Sequence, residues 1–108
     1  MSEQEIKKEI QNMVQMIVAQ YQPEKIILFG SYAWGKPDRT SDVDFFIIKD
    51  TKKERRFRAI DVSGIIKDRK IPTDILVRTP VEVKKRIDLG DFFMKRIFSE
   101  GKILYEKK

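Results

Sequence analysis

Residues 24–48, EKIILFGSYAWGKPDRTSDVDFFII, hold two apolar segments on either side of a loop. Segments 24–29 and 43–48 are short, apolar and bounded by turn residues, so each predicts a buried β-strand. The connection 30–41 can begin with one helical turn over 31–34. It is too short and too loop-like for the helical crossover that joins neighbouring parallel strands. A mixed sheet is therefore predicted.

Helices and further strands flank this stretch. A capping box formed by Ser2 and Glu5 precedes apolar residues at helical spacing, which predicts a long first helix. Helices are predicted over residues 3–21, 52–69, 80–88 and 91–100, and strands over 72–78 and 102–105. This alternation predicts one α/β (α+β) domain over residues 1–108, in two layers, with helices packed on a small mixed sheet.

The composition excludes several classes of protein. The chain has 108 residues, 37% charged and 41% hydrophobic, which argues against disorder and against a membrane protein. Without an apolar run of about 20 residues or a signal peptide, a cytoplasmic location with no membrane contact is expected. Cysteine and histidine are both absent, which excludes disulfides, Cys/His zinc sites and Ser-His-Asp triads. A metal would need oxygen ligands, which suit magnesium or manganese.

The net charge of +6, from 23 Lys and Arg against 17 Asp and Glu, favours a polyanionic ligand such as a nucleotide or RNA. An ordinary charged surface explains it equally well. The densest basic cluster, called here the basic segment, is Lys52, Lys53, Arg55, Arg56 and Arg58. It is either a patch for triphosphate, RNA or an acidic partner, or the solvated surface of a helix.

Three aspartates are the main candidates for chemistry. Asp42 and Asp44 are two residues apart at the start of a predicted strand, so their carboxylates point to the same side and repel unless a cation lies between them. Asp74 interrupts an apolar strand, where aspartate is unfavourable. If that strand neighbours Asp44, the three carboxylates form an open, oxygen-rich site for one or two magnesium ions. Each aspartate alone is also compatible with an ordinary surface position.

Gly30 and Ser31 directly follow the first predicted strand. Glycine permits close backbone approach, and a helical turn beginning at Ser31 would direct N–H groups and a hydroxyl outward, where they could bind an anion. The alternative is an ordinary turn, because a glycine followed by a serine is also common after a strand that binds no ligand.

The joint spacing is more specific than any single motif. Gly30-Ser31, ten intervening residues, Asp42-x-Asp44 and a third aspartate one strand later resemble the minimal nucleotidyltransferases. These are the smallest members of the nucleotidyltransferase superfamily related to DNA polymerase beta, and the resemblance covers nearly the whole chain. It implies that Gly30 and Ser31 contact the nucleotide triphosphate and that Asp42, Asp44 and Asp74 are catalytic metal ligands.

The resemblance implies transfer of a nucleoside monophosphate, AMP from ATP, to a hydroxyl acceptor, with two Mg²⁺ or Mn²⁺ ions bound. Such proteins are often paired with a helical HEPN ribonuclease in toxin–antitoxin modules, where the transferase acts as antitoxin by attaching AMP to a tyrosine of the toxin. RNA is a further candidate acceptor. The alternative is a module that binds nucleotide or partner without catalysis.

Two aromatic features stay open at this point. Many relatives carry a basic residue where Trp34 stands, so Trp34 either covers the core or packs against a base. The last predicted helix has more large apolar residues than one helical face needs, namely Phe92, Phe93, Met94, Ile97 and Phe98. Either both faces are buried within the domain, or an exposed patch binds a helical partner or a second copy of this chain.

Overall fold

The structure is a computed structural model that describes residues 1–35, 37–38 and 41–108. Positions 36, 39 and 40 of the predicted loop 30–41 lie outside the described residues. In chain order the elements are α1 (Glu3–Tyr21), β1 (Lys25–Phe29), α2 (Ser31–Trp34), β2 (Val43–Ile48), α3 (Arg55–Ile65), β3 (Thr73–Arg78), α4 (Pro80–Asp88), α5 (Phe92–Glu100) and β4 (Lys102–Glu106).

The four strands form one mixed sheet in the order β3-β2-β1-β4. β1 is antiparallel to both β2 and β4, whereas β2 and β3 are parallel. The parallel pair is joined through α3, which supplies the crossover that the short connection from β1 to β2 lacks. The prediction of a mixed sheet is therefore confirmed.

The sheet is apolar on both faces because its central strands are apolar at nearly every position. Alternate residues of β1 enter different core clusters: Ile26 and Leu28 belong to a first cluster with α1 and α3, and Ile27 and Phe29 to a second with α4 and α5. The mixed α/β fold is as predicted. The sequence predicted two layers, but helices cover both faces because β1 and β2 bury both sides.

The helix ends follow local signals, with one exception. The predicted capping box forms at Ser2, a second one forms at Thr79, and Asp91 caps α5 by accepting from the backbone N–H of Met94. α3 is shorter than the predicted 52–69, because the Thr51 hydroxyl accepts from the backbone N–H of Lys53 in a turn before the helix. Within the described residues no helix has both the length and the apolar character to cross a membrane.

Candidate active site

The pairing of β2 with β3 brings two of the candidate aspartates together. Asp44 lies opposite Asp74 in the parallel register, and Phe29 of β1 lies opposite Asp44 on its other side. Both aspartates alternate with residues of the second core cluster, Phe46 on β2 and Leu76 on β3, so both lie on the sheet face that α4 and α5 cover. Asp42 immediately precedes β2. These three residues are called here the acidic edge.

The acidic edge is electrostatically strained at Asp44. Burial of this partly exposed carboxyl, followed by the negative charges of Asp74 and Asp42, raises its pKa from 3.8 to about 6. Asp74 is exposed and Asp42 is partly exposed, so the edge is open to solvent. The carboxylates of Asp74 and Asp42 therefore both act on Asp44, as the sequence spacing suggested.

The donor chemistry of this edge fits a hard cation. Its side chains offer carboxylate oxygens, the ligands that Mg²⁺ and Mn²⁺ prefer, and a bound cation would relieve the repulsion on Asp44. Across the described part of the chain, however, no group of three or more acidic side chains is already assembled as a metal cluster. Metal binding by Asp42, Asp44 and Asp74 stays a prediction.

Gly30 is held directly against the carboxylate of Asp44. Its backbone has φ 76° and ψ −155°, a conformation that favours glycine, and a Cβ at this position would overlap Oδ2 of Asp44. The glycine thus lets β1 turn into α2 immediately beside the acidic edge. Only the close approach is shown here, and the triphosphate contact assigned to Gly30 and Ser31 by resemblance stays a prediction.

Ser31 begins α2 directly after Gly30, so it lies at the same end of the sheet. The backbone N–H groups of Ala33 and Trp34 both donate to the Gly30 carbonyl at 2.9 Å, which closes the turn. Because the first N–H groups of a helix have no acceptor within it, the N–H and hydroxyl of Ser31 are suited to an anion.

Trp34 covers part of the second core cluster. Its ring lies 6.1 Å from that of Phe29, and the Arg96 guanidinium stacks 4.2 Å from the centre of its ring. Phe93 meets Phe29 edge-on at 5.7 Å. The interpretation of Trp34 as a core cover agrees with these contacts. Sequence reasoning missed Arg96, because its contact with Trp34 depends on where α5 packs against α2.

Most cations of the basic segment form ion pairs with acidic side chains of the same chain. Arg58 is buried at 6% exposure, and its Nη1 lies 2.6 Å from a carboxylate oxygen of Glu82. The interpretation as a solvated helix surface is therefore wrong for Arg58, because the sequence could not show Glu82 arriving from α4. The other ion pairs of this segment are Lys53–Asp61, Arg55–Glu82 and Arg56–Glu54.

A cavity of about 710 Å³ lies at the opposite end of the sheet, lined in part by Glu24, Ile48 and Phe98. Lys25 and Ile48 pair at that end, whereas Phe29 and Asp44 pair at the acidic edge. The size of this cavity therefore does not indicate the chemical site. The raised pKa of Asp44 and the close contact of Gly30 with its carboxylate are better guides to the chemical site.

In this mixed sheet, paired aspartates lie near the start of two neighbouring strands, and a glycine turn packs against them. This arrangement defines a nucleotidyltransferase-like α/β domain. The family model described as "Polymerase beta, Nucleotidyltransferase" matches residues 8–108. The chain belongs to this family.

One solved structure supports the fold. The chain is similar to a candidate nucleotidyltransferase from Sulfolobus solfataricus, with a TM-score of 0.64 and 19% sequence identity over 93% of this chain and 79% of that chain. At this identity the likeness shows the shared fold. A comparison with curated proteins found no match.

Proposed function

We propose that this chain is a magnesium-dependent nucleotidyltransferase that transfers AMP from ATP to a hydroxyl acceptor. The observation that carries the proposal is the direct pairing of Asp44 with Asp74 beside Gly30. Membership of the polymerase beta nucleotidyltransferase family gives the reaction class.

In this proposal each site residue has a separate role. Gly30 and Ser31 bind the triphosphate, and Asp42, Asp44 and Asp74 hold two Mg²⁺ ions, or Mn²⁺ in their place. When bound, Mg²⁺ supplies charge neutralisation for the triphosphate and for the leaving pyrophosphate. Asp74 is the exposed member of the edge, so it faces the acceptor.

The proposed transfer is an in-line displacement. The acceptor oxygen forms a bond to the α-phosphorus of ATP, and the bond from that phosphorus to the bridging oxygen breaks. Pyrophosphate leaves with the electron pair, and the acceptor proton passes to Asp74. Binding and alignment carry most of the catalysis, because a carboxylate alone is a weak base toward a hydroxyl.

Two acceptors follow from the family resemblance and the net charge. One is a tyrosine hydroxyl of a HEPN partner, which would give the chain an antitoxin role, and the other is an RNA hydroxyl. A module that binds nucleotide without transferring it is the alternative to both.

The test uses ATP labelled at the α-phosphate, Mg²⁺ and a cell extract as the source of acceptors. We expect label on a macromolecule with the wild type, none with Asp44→Asn or Asp74→Asn, and undiminished label with Asp50→Asn. Asp50 is an exposed acid just beyond the far end of β2, so it is a matched control. Protease and ribonuclease treatment of the product then separates protein from RNA acceptors. Label that persists in Asp44→Asn, or its absence from the wild type, would contradict the proposal.

A further inference from the structure

A second cavity, of about 530 Å³, lies on the same sheet face as the acidic edge. β2 and β3 contribute Phe46 and Leu76 to it, the residues that follow Asp44 and Asp74 on this face. Its charged lining includes four cations, Arg55, Arg78, Lys85 and Arg86. We call it the cationic cavity.

Within the described part of the chain, Arg78 is the partly buried cation of this cavity that lacks a carboxylate partner, whereas Lys85, which also has none, is exposed. Its side chain is partly buried and donates to the backbone carbonyl of Val77 at 2.9 Å. Among the residues that the structure describes, Arg78 forms no ion pair. Burial, together with the positive charge of Arg55, lowers its pKa. A cation held in this way is stabilised by an anion that enters the cavity.

The carboxylates of the cavity are already used by other cations. Glu82 lies 2.6 Å from Arg58 and 3.4 Å from Arg55. Burial opposes ionisation of Glu82, but hydrogen bonds from Arg58 and from the backbone N–H of Thr79 outweigh it and lower its pKa to about 2. Asp91 is paired with Arg86 at 2.9 Å. These pairs leave the positive charge of Arg78 available to a ligand.

The cavity lies further along β3 from the acidic edge, on the same face of the strand. Asp74, Leu76 and Arg78 alternate onto one face of this strand, and four residues of strand span roughly 13 Å. At the end nearer the edge, Phe93 lines the cavity and meets Phe29, whose strand partner is Asp44. One extended molecule can therefore reach both the cationic cavity and the acidic edge.

We propose that the cationic cavity binds a backbone phosphate of a single-stranded RNA, with Arg78 as its principal ligand, and that the RNA presents its terminal hydroxyl to the acidic edge. Cations beside aromatic and apolar walls are typical of single-strand binding, where bases stack and phosphates pair. The cavity combines Arg78 with Phe93 and Met94 in this way. The acceptor role rests on the proposed transfer at the acidic edge, whereas RNA binding itself does not.

The test measures binding of a fluorescently labelled single-stranded RNA hexamer by anisotropy, without ATP. We expect Arg78→Gln to weaken binding by roughly tenfold and to reduce the salt slope by about one. Arg78→Lys retains the charge and should restore part of the affinity. Lys8→Gln removes an exposed charge on α1, on the other face of the sheet, and should leave the affinity unchanged. Thermal melting of each variant verifies that it is folded.

Competition with inorganic phosphate distinguishes the sources of the phosphate. Displacement of RNA only at phosphate concentrations far above that of the hexamer supports a strand site. Equal affinity for phosphate and RNA, or equal weakening by Arg78→Gln and Lys8→Gln, would overturn the proposal. Asp44→Asn should abolish transfer and retain RNA binding. A wild type that binds RNA through Arg78 but transfers nothing would contradict the proposed function while supporting the cavity.

Discussion

At the scale of single residues, the contact between Gly30 and Asp44 is the tightest constraint on the site. Gly30→Ala would add a Cβ that overlaps the Asp44 carboxylate and would strain a backbone with φ 76°. We expect it to destabilise the fold by about 1–3 kcal/mol and to abolish transfer, because Asp44 must move. Chemical denaturation and the labelled-ATP assay measure the two effects.

Gly90→Ala is the matched control for this substitution. Gly90 also has a positive φ, of 81°, but a Cβ there meets nothing within 4 Å. Gly90→Ala should lower the free energy of unfolding through backbone strain and should retain transfer. Equal losses of transfer in both variants would mean that the contact with Asp44 is unimportant.

The pKa of Asp44 gives a second prediction at this scale. In the folded chain the carboxyl keeps its proton up to pH about 6, mainly because of burial, whereas the unfolded chain releases it near 3.8. The unfolded state therefore binds fewer protons between these values, and stability falls as pH rises through the window. Asp44→Asn has no ionisable group at this position and so does not lose stability in this way. Its melting temperature should therefore exceed that of the metal-free wild type, by a margin that grows from pH 4 to 6 and stays constant above pH 6.

Asp50→Asn is the control, since Asp50 is exposed. Adding Mg²⁺ at pH 7 should raise the melting temperature of the wild type more than that of Asp44→Asn, because only the wild type has the full set of carboxylates. A wild type that is more stable than Asp44→Asn throughout this pH range, without metal, would show that Asp44 has a structural role.

At the scale of elements, Arg58 links three parts of the fold. From α3 it bonds to Glu82 in the first turn of α4 at 2.6 Å, to the Lys53 carbonyl at 2.9 Å and to the Val77 carbonyl of β3 at 3.4 Å. We expect Arg58→Ala to reduce the free energy of unfolding by about 3 kcal/mol, because Glu82 loses its buried partner. Arg56→Ala, at an exposed pair with Glu54, should cost at most about 1 kcal/mol. Urea denaturation that shows equal costs would contradict this role.

Local sequence signals account for most element boundaries. The boxes at Ser2 and Thr79 and the apolar runs of β1 and β2 are each specified within a few residues, so these elements could be predicted. The ends of α3 could not, because hydrogen bonds outside the helical pattern set them. The Arg69 side chain, for example, donates to the Ile66 carbonyl at 3.0 Å just past the helix.

At the scale of the whole molecule, the site was only partly predictable. The spacing of Asp42 and Asp44 is local, and the placement of Asp74 required only that the second and third strands be neighbours. The burial of Arg58, the stacking of Arg96 on Trp34 and the cavity at Arg78 all depend on where α4 and α5 pack. Pattern in one sequence does not determine those long-range contacts.

The packing of α5 supports the last prediction. Met94 and Ile97 are buried, but Phe92 is 87% exposed, and Leu89 in the preceding turn is 67% exposed. The domain therefore does not bury all the apolar residues of this helix, which leaves a hydrophobic surface for a second copy of the chain or a helical partner. We expect light scattering to show a mass that rises with protein concentration, and Phe92→Ser to suppress the rise.

Phe92→Ser should change the free energy of unfolding by no more than about 0.5 kcal/mol, because the side chain is exposed. Met94→Ser is the contrasting variant: at 5% exposure its loss should cost about 2–5 kcal/mol. A wild type that stays monomeric at high concentration would refute self-association. A Phe92→Ser variant that unfolds as readily as Met94→Ser would show instead that Phe92 belongs to the core, and its exposure would then not mark a contact surface.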